Sequence, residues 1–364
     1  MGKPIVFKPR TNICQISEVD IVEDLSSKQN FQHEKSCENE SKVKIDRSNL
    51  SENQLEKVQE LLHNFDHIFS KGPTDIGCTN LLKHKIVLED ETPFKQPYRR
   101  IPPGLYDEVR QHIKEMLEAD VIRESESPFS SNIVLVRKKD GSLRFCIDWR
   151  QLNAKTKKDA YKLPRFDDIV DSLTGAVYFS KLDLRAGYWN VELEESSKQY
   201  TAFNCGNLGF YEMNRLGFGL CNSPATFQRL MERCMGDKHL KECLIFLDDI
   251  LVYSKTFEEH IERLHAVFSK LAEHKLKLKP SKCELFKSSV TYLGHIISSQ
   301  GICTDPDKTN TVSNWPAPTN VKELREFLGF AGFYRRYIQH FSQIVEPLTY
   351  LLKGQYSTQR KQER

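Results

Sequence analysis

Two adjacent carboxylates interrupt a strongly apolar stretch of the sequence. Residues 243–254 read CLIFLDDILVYS, with Asp248 and Asp249 at the centre. A fully buried strand does not tolerate two unpaired charges, because desolvating each one costs several kcal/mol. Asp is also frequent in turns. The stretch therefore predicts a hairpin with the acidic pair at or beside its turn, either as a simple surface turn or in a partly dry site where a cation compensates the charge.

A third acid stands at the end of another apolar run. Asp183 closes the stretch VYFSKLD and precedes LRAGY, a turn that contains glycine. Mg²⁺ binds to hard oxygen ligands and is usually held by one or two carboxylates together with substrate phosphates. Two such ions about 3.5–4 Å apart stabilise the attacking and leaving oxygens of a phosphoryl displacement. Asp183 and Asp248 are therefore the predicted metal-bridging pair.

The composition is that of an ordinary globular protein. The chain has 364 residues, 39% hydrophobic and 28% charged, and no apolar run approaches the roughly 18 residues of a membrane-spanning helix. The opening residues have no apolar core typical of a secretory signal. Ten cysteines are scattered without a C-x-x-C pair, which favours free thiols over disulfides or zinc ligands. A net charge of +3 is too small to indicate a polyanionic partner by itself.

Periodicity along the chain predicts an α+β fold. Residues 1–50 are polar and aperiodic, and we predict that they are disordered or a linker. Asp140-Gly141 predicts a hairpin turn between two strands. The predicted helices cover residues 54–69, 105–117, 225–235, 257–274 and 321–337, and the predicted strands cover 133–136, 143–147, 177–183 and 290–297.

Six blocks of sequence, taken in order, resemble the reverse transcriptases of gypsy-type long-terminal-repeat retrotransposons. They are VRKKDGSLRFCIDWRQLN, FSKLDLRAGYWNVEL, TAFNCGNLGFYEMNRLGFGLCNSPATFQ, IFLDDILVYS, VTYLGH and ELREFLGFAGFYRRYI. The resemblance runs from about Pro97 to Lys353, and Phe-Leu-Asp-Asp stands where retroviral enzymes have Tyr-x-Asp-Asp. It implies a right-hand polymerase fold of fingers, palm and thumb.

The resemblance also implies a division of the chain. Residues 51–96 are expected to form a helix and linker before the polymerase, and residues 354–364 a basic tail. The remaining boundaries are fingers at 97–160 and 191–223, palm at 161–190 and 224–296, and thumb with the start of a connection at 297–353. Family members usually continue into an RNase H domain. We expect this chain to lack that domain, and we therefore predict that it is a fragment of a longer polyprotein or a truncated copy of the retrotransposon.

The implied activity is RNA-directed DNA polymerisation, in which a primer 3′-hydroxyl is extended with dNTPs on an RNA or DNA template. Two Mg²⁺ ions, with Mn²⁺ as a substitute, are held by Asp183 and Asp248, and Asp249 supports them less directly. The implied neighbours are the protease, RNase H and integrase domains of one Pol polyprotein. The expected location is intracellular, in a cytoplasmic particle or the nucleus, without membrane attachment.

Several residues match nucleotide-binding positions of the family. Lys138 and Arg144, on the basic fingers hairpin, match residues that clasp the triphosphate, although the hairpin tip is one residue shorter than in some retroviral relatives. Tyr188 matches the aromatic residue that blocks a ribose 2′-hydroxyl. The pocket is completed by the backbone of Arg185 and Ala186 and by the ring of Phe218. The structural alternative for Lys138 and Arg144 is a solvated basic turn, and the alternative for Tyr188 is a tyrosine of the hydrophobic core.

A second group matches template and primer positions. Ser223 and Pro224 begin the helix that supports the template strand. The primer grip corresponds to Tyr292, Leu293, Gly294 and His295, and the thumb contacts correspond to Gly329, Phe333, Arg335 and Arg336. Small and aromatic residues beside arginines suit a surface that binds the nucleic-acid backbone and reads its shape. An ordinary packed helix with a basic end is the alternative for the two arginines.

Two other functions are compatible with parts of this pattern. A catalytically inactive remnant that only binds nucleic acid would carry the same motifs. An RNA-dependent RNA polymerase would share the palm and its acids, but Tyr188 argues against it. The stretch DIGCT at residues 75–79 lacks the hydroxyl residue of an aspartic protease loop, so no protease activity is predicted.

Overall fold

A computed structural model describes residues 43–138, 141–164, 172–173 and 175–362, with side chains described as far as residue 352. Most of the predicted N-terminal lead and the turn residue Asp140 lie outside these residues. The helices are α1 Glu52–Asn64, α2 Tyr106–Glu118, α3 Arg150–Lys155, α4 Glu195–Lys198, α5 Ser223–Met235, α6 Phe257–Glu273, α7 Pro306–Ser313, α8 Val321–Phe333 and α9 Phe341–Gln362.

Fifteen strands complete the described elements. They are β1 Lys44–Ile45, β2 Thr79–His84, β3 Ile122–Glu124, β4 Ser131–Arg137, β5 Leu143–Ile147, β6 Tyr178–Asp183, β7 Val191–Leu193, β8 Phe203–Asn204, β9 Phe210–Met213, β10 Cys243–Phe246, β11 Asp249–Ser254, β12 Glu284–Lys287, β13 Ser289–Tyr292, β14 His295–Ser298 and β15 Gly301–Thr304. Mixed helices and sheets confirm the α+β prediction. None of the helices in the described part of the chain has the length and apolar composition needed to cross a bilayer.

The palm is built on a five-stranded sheet in the order β1-β12-β6-β11-β10. Strands β10 and β11 form the predicted hairpin, whose last paired residues are Phe246 and Asp249. The central strands are apolar because they are covered on both faces: Leu182, Ile250 and Val252 join the main core, and Phe179 and Leu251 join a second cluster. The sheet thereby positions the acidic turn at the end of rigid, buried strands.

The fingers and thumb use separate sheets. In the fingers, the order is β3-β9-β8-β4-β5, and the β4–β5 pairing confirms the predicted basic hairpin. The third sheet, β13-β14-β15, leads into the helices of the thumb. The single strand predicted at 290–297 is instead a tight hairpin, because Leu293 and Gly294 turn the chain with φ of 49° and 76°.

The segment before the predicted polymerase packs into its core, and one expectation about the N-terminal lead is corrected. Lys44–Ile45, expected within a disordered lead, forms the edge strand β1, where the Lys44 amide donates to the Cys283 carbonyl at 3.1 Å. Such edge pairing uses backbone groups and leaves no hydrophobic period. Residues 51–96, expected as a helix and linker, contain α1, whose buried Val58 and Leu61 pack into the main core.

Two predicted helices end earlier than expected. The α-helix of the lead stops at Asn64 and is followed by a 3₁₀ turn at Asp66–Ile68. The thumb helix likewise stops at Phe333, before a 3₁₀ turn at Arg335–Tyr337. In the first place the tighter turn keeps Ile68 on the core side, whereas the turn after the thumb helix has no buried residue.

A buried histidine ties α6 to the palm sheet. His260 is fully buried, and its two ring nitrogens lie 2.7 Å from Ser180 Oγ on β6 and 3.0 Å from Ser254 Oγ on β11. Burial lowers the pKa of His260 to about 3. Below pH 6.5, the ordinary pKa of histidine, the unfolded chain binds a proton at His260 and the folded chain does not. The free energy of unfolding therefore falls as the pH decreases below 6.5.

We predict that His260→Leu weakens this pH dependence. At pH 8 the variant should be less stable by about 1–3 kcal/mol, because two serine hydroxyls lose their hydrogen bonds to the imidazole. From pH 8 to pH 5 the wild type should lose about 2 kcal/mol more than the variant. Urea unfolding at both pH values measures this. His63→Gln, at an exposed position, should keep the wild-type slope, and equal slopes for wild type and His260→Leu would contradict the assignment.

Candidate active site

The three predicted acids meet at one end of the palm sheet. Asp183, the last residue of β6, is directly opposite Asp249, the first residue of β11. Opposite residues on neighbouring strands project to the same face of a sheet. Leu247 and Asp248 form the turn between β10 and β11, and Leu247 has a left-handed φ of 53°. The structure thus brings together residues that lie 65 positions apart in the sequence.

Asp248 is the most constrained of the acids. Its Oδ1 is buried and has no hydrogen-bond partner within the described residues. Burial, followed by the charges of Asp183 and Asp249, raises the pKa of Asp248 from 3.8 to about 6. A buried carboxylate without a partner is costly, and a cation at this position would remove that cost.

Two lysines that sequence reasoning missed contact the other acids. Lys282 Nζ donates to Asp183 Oδ2 at 3.0 Å, and Lys181 Nζ lies 3.1 Å from Asp249 Oδ1. Lys181 precedes Asp183 by two positions on β6, so the strand period would have placed both on one face. Lys282 gave no such signal, because it is far away in the sequence. Both ion pairs offset part of the negative charge of the acids.

The absence of a side chain at Gly187 makes room for the carboxylate of Asp248. A Cβ atom built on Gly187 would lie 2.6 Å from Asp248 Oδ1 and 3.1 Å from its Cγ. The residue before it, Ala186, has a left-handed φ of 48°. The sequence indicated a turn containing glycine here. It gave no sign that the missing side chain makes room for an acid on another strand.

A cleft leads from the acids to the fingers hairpin. One cavity of about 400 Å³ is lined by Asp183, Asp248 and the backbone segment 184–187. A second cavity, of about 340 Å³, is lined by Lys138 and Arg144. The two cavities share four lining residues, which are His112, Met116, Trp189 and Phe218. The acidic end and the basic end therefore belong to adjoining spaces.

Tyr188 and Phe218 pack against each other at this cleft. Their ring centroids are 4.9 Å apart with an interplanar angle of 74°, and Phe227 lies 5.2 Å from Tyr188 on another side. Burial and the charge of Asp248 raise the pKa of Tyr188 to about 12. Phe218 is 45% exposed. The tyrosine is therefore fixed by aromatic neighbours beside the acids, and the phenylalanine remains accessible.

The basic hairpin is anchored beneath its tip. Arg137 makes two hydrogen bonds to Glu108 on α2, at 2.7 and 2.6 Å. Lys138 follows directly and is exposed, as is Arg144 across the hairpin. The anchoring pair fixes the base of the hairpin while the two outer cations face solvent. Sequence reasoning did not single out either partner of this pair.

The primer-grip residues are divided between surface and core. Tyr292 is fully buried, so its ring belongs to the core instead of the surface. His295 is 2% exposed and lies 5.4 Å from the ring of Phe333 and 5.5 Å from that of Tyr334. Tyr334, which the sequence did not single out, donates a hydrogen bond to the Gly294 carbonyl at 2.8 Å. The β13–β14 hairpin is therefore bound to the thumb helix α8.

The remaining template and thumb positions differ in exposure. Ser223 is 1% exposed and donates to the Gly217 carbonyl at 2.9 Å, which gives it a structural role in the loop before α5. Pro224 follows it in the first turn of that helix. Gly329 has no atom within 4 Å of an added Cβ, and Phe333 is 56% exposed. Arg335 and Arg336 lie exposed in the turn after α8.

Among the described residues, no three His, Cys, Asp or Glu side chains, these acids included, are already arranged as the ligands of a metal ion. Mg²⁺ relies on one or two carboxylates and completes its shell with substrate phosphates and water. The acids at hand fit that mode of binding, with the unpartnered Oδ1 of Asp248 as a ligand atom.

Comparison with known proteins identifies the family. Residues 136–297 match the family described as reverse transcriptase (RNA-dependent DNA polymerase). The Pol polyprotein of transposon 297 from Drosophila melanogaster is 37% identical over 328 residues, which cover 87% of this chain and 31% of that protein. The chain carries a reverse transcriptase domain similar to that of retrotransposon Pol polyproteins. The gypsy Pol polyprotein of the same organism is 34% identical over 274 residues, 74% of this chain and 26% of that protein.

Solved reverse transcriptases share the fold. The foamy viral protease-reverse transcriptase in complex with double-stranded DNA has a TM-score of 0.77 at 25% identity, covering 84% of this chain and 54% of that chain. A second such complex has a TM-score of 0.76. The predicted right-hand polymerase fold and the resemblance to reverse transcriptases are thereby confirmed. The chain spans 31% or less of these curated relatives.

We predict that Asp248→Asn stabilises the metal-free protein above pH 6. The raised pKa means that the folded wild type holds a proton between pH 3.8 and 6 that the unfolded chain has lost, so wild-type stability falls as the pH rises through this range. At pH 8 in EDTA the variant should be more stable by about 2 kcal/mol, and at pH 4 the two should be equal. Urea unfolding measures both. Asp107→Asn, at a side chain that is 95% exposed, should match the wild type, and no gain at pH 8 would contradict the prediction.

Proposed function

We propose that this chain is the polymerase module of a retrotransposon Pol polyprotein and extends a primer 3′-hydroxyl with dNTPs on an RNA or DNA template. The observation that carries this proposal is the convergence of Asp183, Asp249 and the unpartnered, buried Asp248 at one end of the palm sheet. The cleft from these acids to Lys138 and Arg144 supports it. The family's description as an RNA-dependent DNA polymerase supports the choice of reaction.

Divalent metal dependence follows from the family and the acids. Asp183 and Asp248 would hold two Mg²⁺ ions, with Mn²⁺ as a substitute, and Asp249 would contribute less directly because Lys181 already contacts it. When bound, such ions increase the acidity of the primer hydroxyl and neutralise charge on the triphosphate. The protein supplies the rigid strand ends that keep the carboxylates in place. Lys282, at Asp183, would release that carboxylate to the metal.

The nucleotide would lie along the cleft with its triphosphate toward the fingers. Lys138 and Arg144 would bind the phosphates, the lysine as a point charge and the arginine with its planar fork. The backbone of Arg185 and Ala186 lines the same cavity as the acids. Tyr188, held by Phe218 and Phe227, would exclude a ribose 2′-hydroxyl, and the exposed part of Phe218 would pack on the nucleotide.

The primer and template would extend from the palm toward the thumb. Leu293 and Gly294, at the turn of the β13–β14 hairpin, would approach the primer end with their backbone, and His295 and Tyr292 would support that turn from below. Gly329, Phe333, Arg335 and Arg336 present an open, partly aromatic and basic surface suited to a duplex. Ser223 and Pro224 would act by fixing the start of α5.

Similar proteins suggest partners and location. The solved foamy viral relatives include complexes with double-stranded DNA and with an RNA/DNA hybrid. We propose that this chain binds both kinds of duplex and that protease, RNase H and integrase domains are its neighbours in one polyprotein. We place the activity inside the cell, in a cytoplasmic particle or the nucleus.

The expected result of a primer-extension assay is Mg²⁺-dependent synthesis on poly(rA) primed with oligo(dT). Asp248→Asn should reduce the rate by at least about 10³-fold, because a carboxylate that positions charge at the reacting centre is lost. The exposed control Asp107→Asn should retain the wild-type rate. Equal rates for wild type and Asp248→Asn would refute the metal role. Template binding in a gel shift without any incorporation by the wild type would favour an inactive, nucleic-acid-binding remnant.

The second expected result concerns sugar selection. Tyr188→Ala removes the ring proposed to exclude the 2′-hydroxyl, so the ratio of rNTP to dNTP incorporation should rise by about tenfold or more, which is worth at least 1.4 kcal/mol of discrimination. Tyr188→Phe keeps the ring and should keep the ratio. Single-nucleotide incorporation with each substrate measures it. An unchanged ratio in Tyr188→Ala would remove Tyr188 from this role.

A further inference from the structure

Both turns that carry the metal-binding acids contain a residue in a left-handed backbone conformation that is not glycine. These residues are Leu247, with φ of 53°, and Ala186, with φ of 48°. L-residues with a side chain adopt this region at a cost of about 1 kcal/mol or more. Such a conformation persists only where the surroundings hold it, so something must fix each turn.

A buried glutamine holds the turn with Asp248. Gln228, on α5, is 0% exposed. Its Oε1 accepts a hydrogen bond from the Leu247 amide at 2.8 Å, and its Nε2 donates to the Ile245 carbonyl at 3.2 Å. The same Nε2 donates to Glu232 Oε1 at 2.8 Å, one helical turn further along. The side chain therefore links the helix to the backbone that enters the strained residue Leu247, immediately before Asp248.

A buried asparagine holds the turn after Asp183. Asn190 is also 0% exposed. Its Nδ2 donates to three consecutive carbonyls, those of Arg185 at 2.9 Å, Ala186 at 3.3 Å and Gly187 at 3.0 Å. Gly187 is the residue whose missing side chain makes room for Asp248. The asparagine therefore fixes both the exit of the chain from Asp183 and the space beside Asp248.

We propose that Gln228 and Asn190 are positioning residues that set the relative placement of Asp183 and Asp248 and thereby the affinity of the site for divalent cations. Neither carboxamide lines the cleft next to the acids, so both act through backbone atoms. Outer partners of metal ligands commonly change metal affinity or activity by about 10–100-fold when removed. This inference rests on the proposed function, because it presupposes that the two acids hold metal.

The test measures metal binding without turnover. Mn²⁺ is titrated by electron paramagnetic resonance into the full chain bound to a template-primer with a 3′-deoxy end and the next complementary dNTP. Gln228→Met keeps the size of the side chain and removes its hydrogen bonds, and we expect Mn²⁺ to bind at least about tenfold more weakly. Asn190→Leu should weaken binding similarly through the other turn. Hydrogen exchange of the Leu247 amide should accelerate in Gln228→Met and not in Asn190→Leu.

A matched control separates positioning from general destabilisation. Gln96, in the fingers, is 8% exposed and also joins two backbone groups, accepting from the Asn132 amide at 3.0 Å and donating to the Asp148 carbonyl at 3.1 Å. Gln96→Met should lower the unfolding temperature about as much as Gln228→Met while leaving Mn²⁺ affinity unchanged. If Gln228→Met does not fold, the Mn²⁺ affinity and unfolding temperature of Asn190→Leu are compared with those of Gln96→Met instead.

An exchange variant tests the specific bond. Gln228→Glu combined with Glu232→Gln swaps the two head groups and keeps the net charge. It retains an acceptor for the Leu247 amide and removes only the donor to the Ile245 carbonyl. We expect Mn²⁺ affinity within about threefold of the wild type, well short of the loss caused by removing the bond. Unchanged Mn²⁺ affinity in both Gln228→Met and Asn190→Leu would overturn the inference. Absence of Mn²⁺ from the wild-type complex would instead refute the proposed metal site.

Discussion

Repulsion between carboxylates at one end of the palm sheet is the constraint on which the rest of the structure depends. Asp183, Asp248 and Asp249 are close enough that the first and third raise the pKa of the second. A chain gathers like charges in this way only if folding free energy from elsewhere holds them. Here that free energy comes from the strands behind them, where Leu182, Ile250 and Val252 are fully buried.

The parts of the molecule outside the palm also hold these strands in place. The lead segment contributes the edge strand β1 and the helix α1, and Phe65 of that segment packs edge-on to Phe268 of α6 at 5.6 Å. His260 joins the same helix to the two strands that carry the acids. A segment that precedes the region matched by the family, residues 136–297, thus packs directly against the sheet that carries the acids.

What the sequence could and could not predict has a physical explanation. The acids were predictable because charges inside apolar strands are unusual, and the strand period placed Asp183 at a strand end. The positions of Tyr188, Lys138 and Arg144 came from motif order. Gln228 and Lys282 gave no local signal: a glutamine on a helix resembles a surface residue, and the contact of Lys282 with Asp183 joins residues far apart in the chain. Such roles arise only from tertiary packing.

The ion pair between Arg137 and Glu108 has a consequence for motion. It joins the base of the fingers hairpin to α2, and α2 contributes His112 and Met116 to both cavities of the cleft. A displacement of the hairpin that is transmitted through this ion pair would move α2 as well. Because α2 lines both cavities, the wall near the acids would then shift together with the wall beside the basic tip.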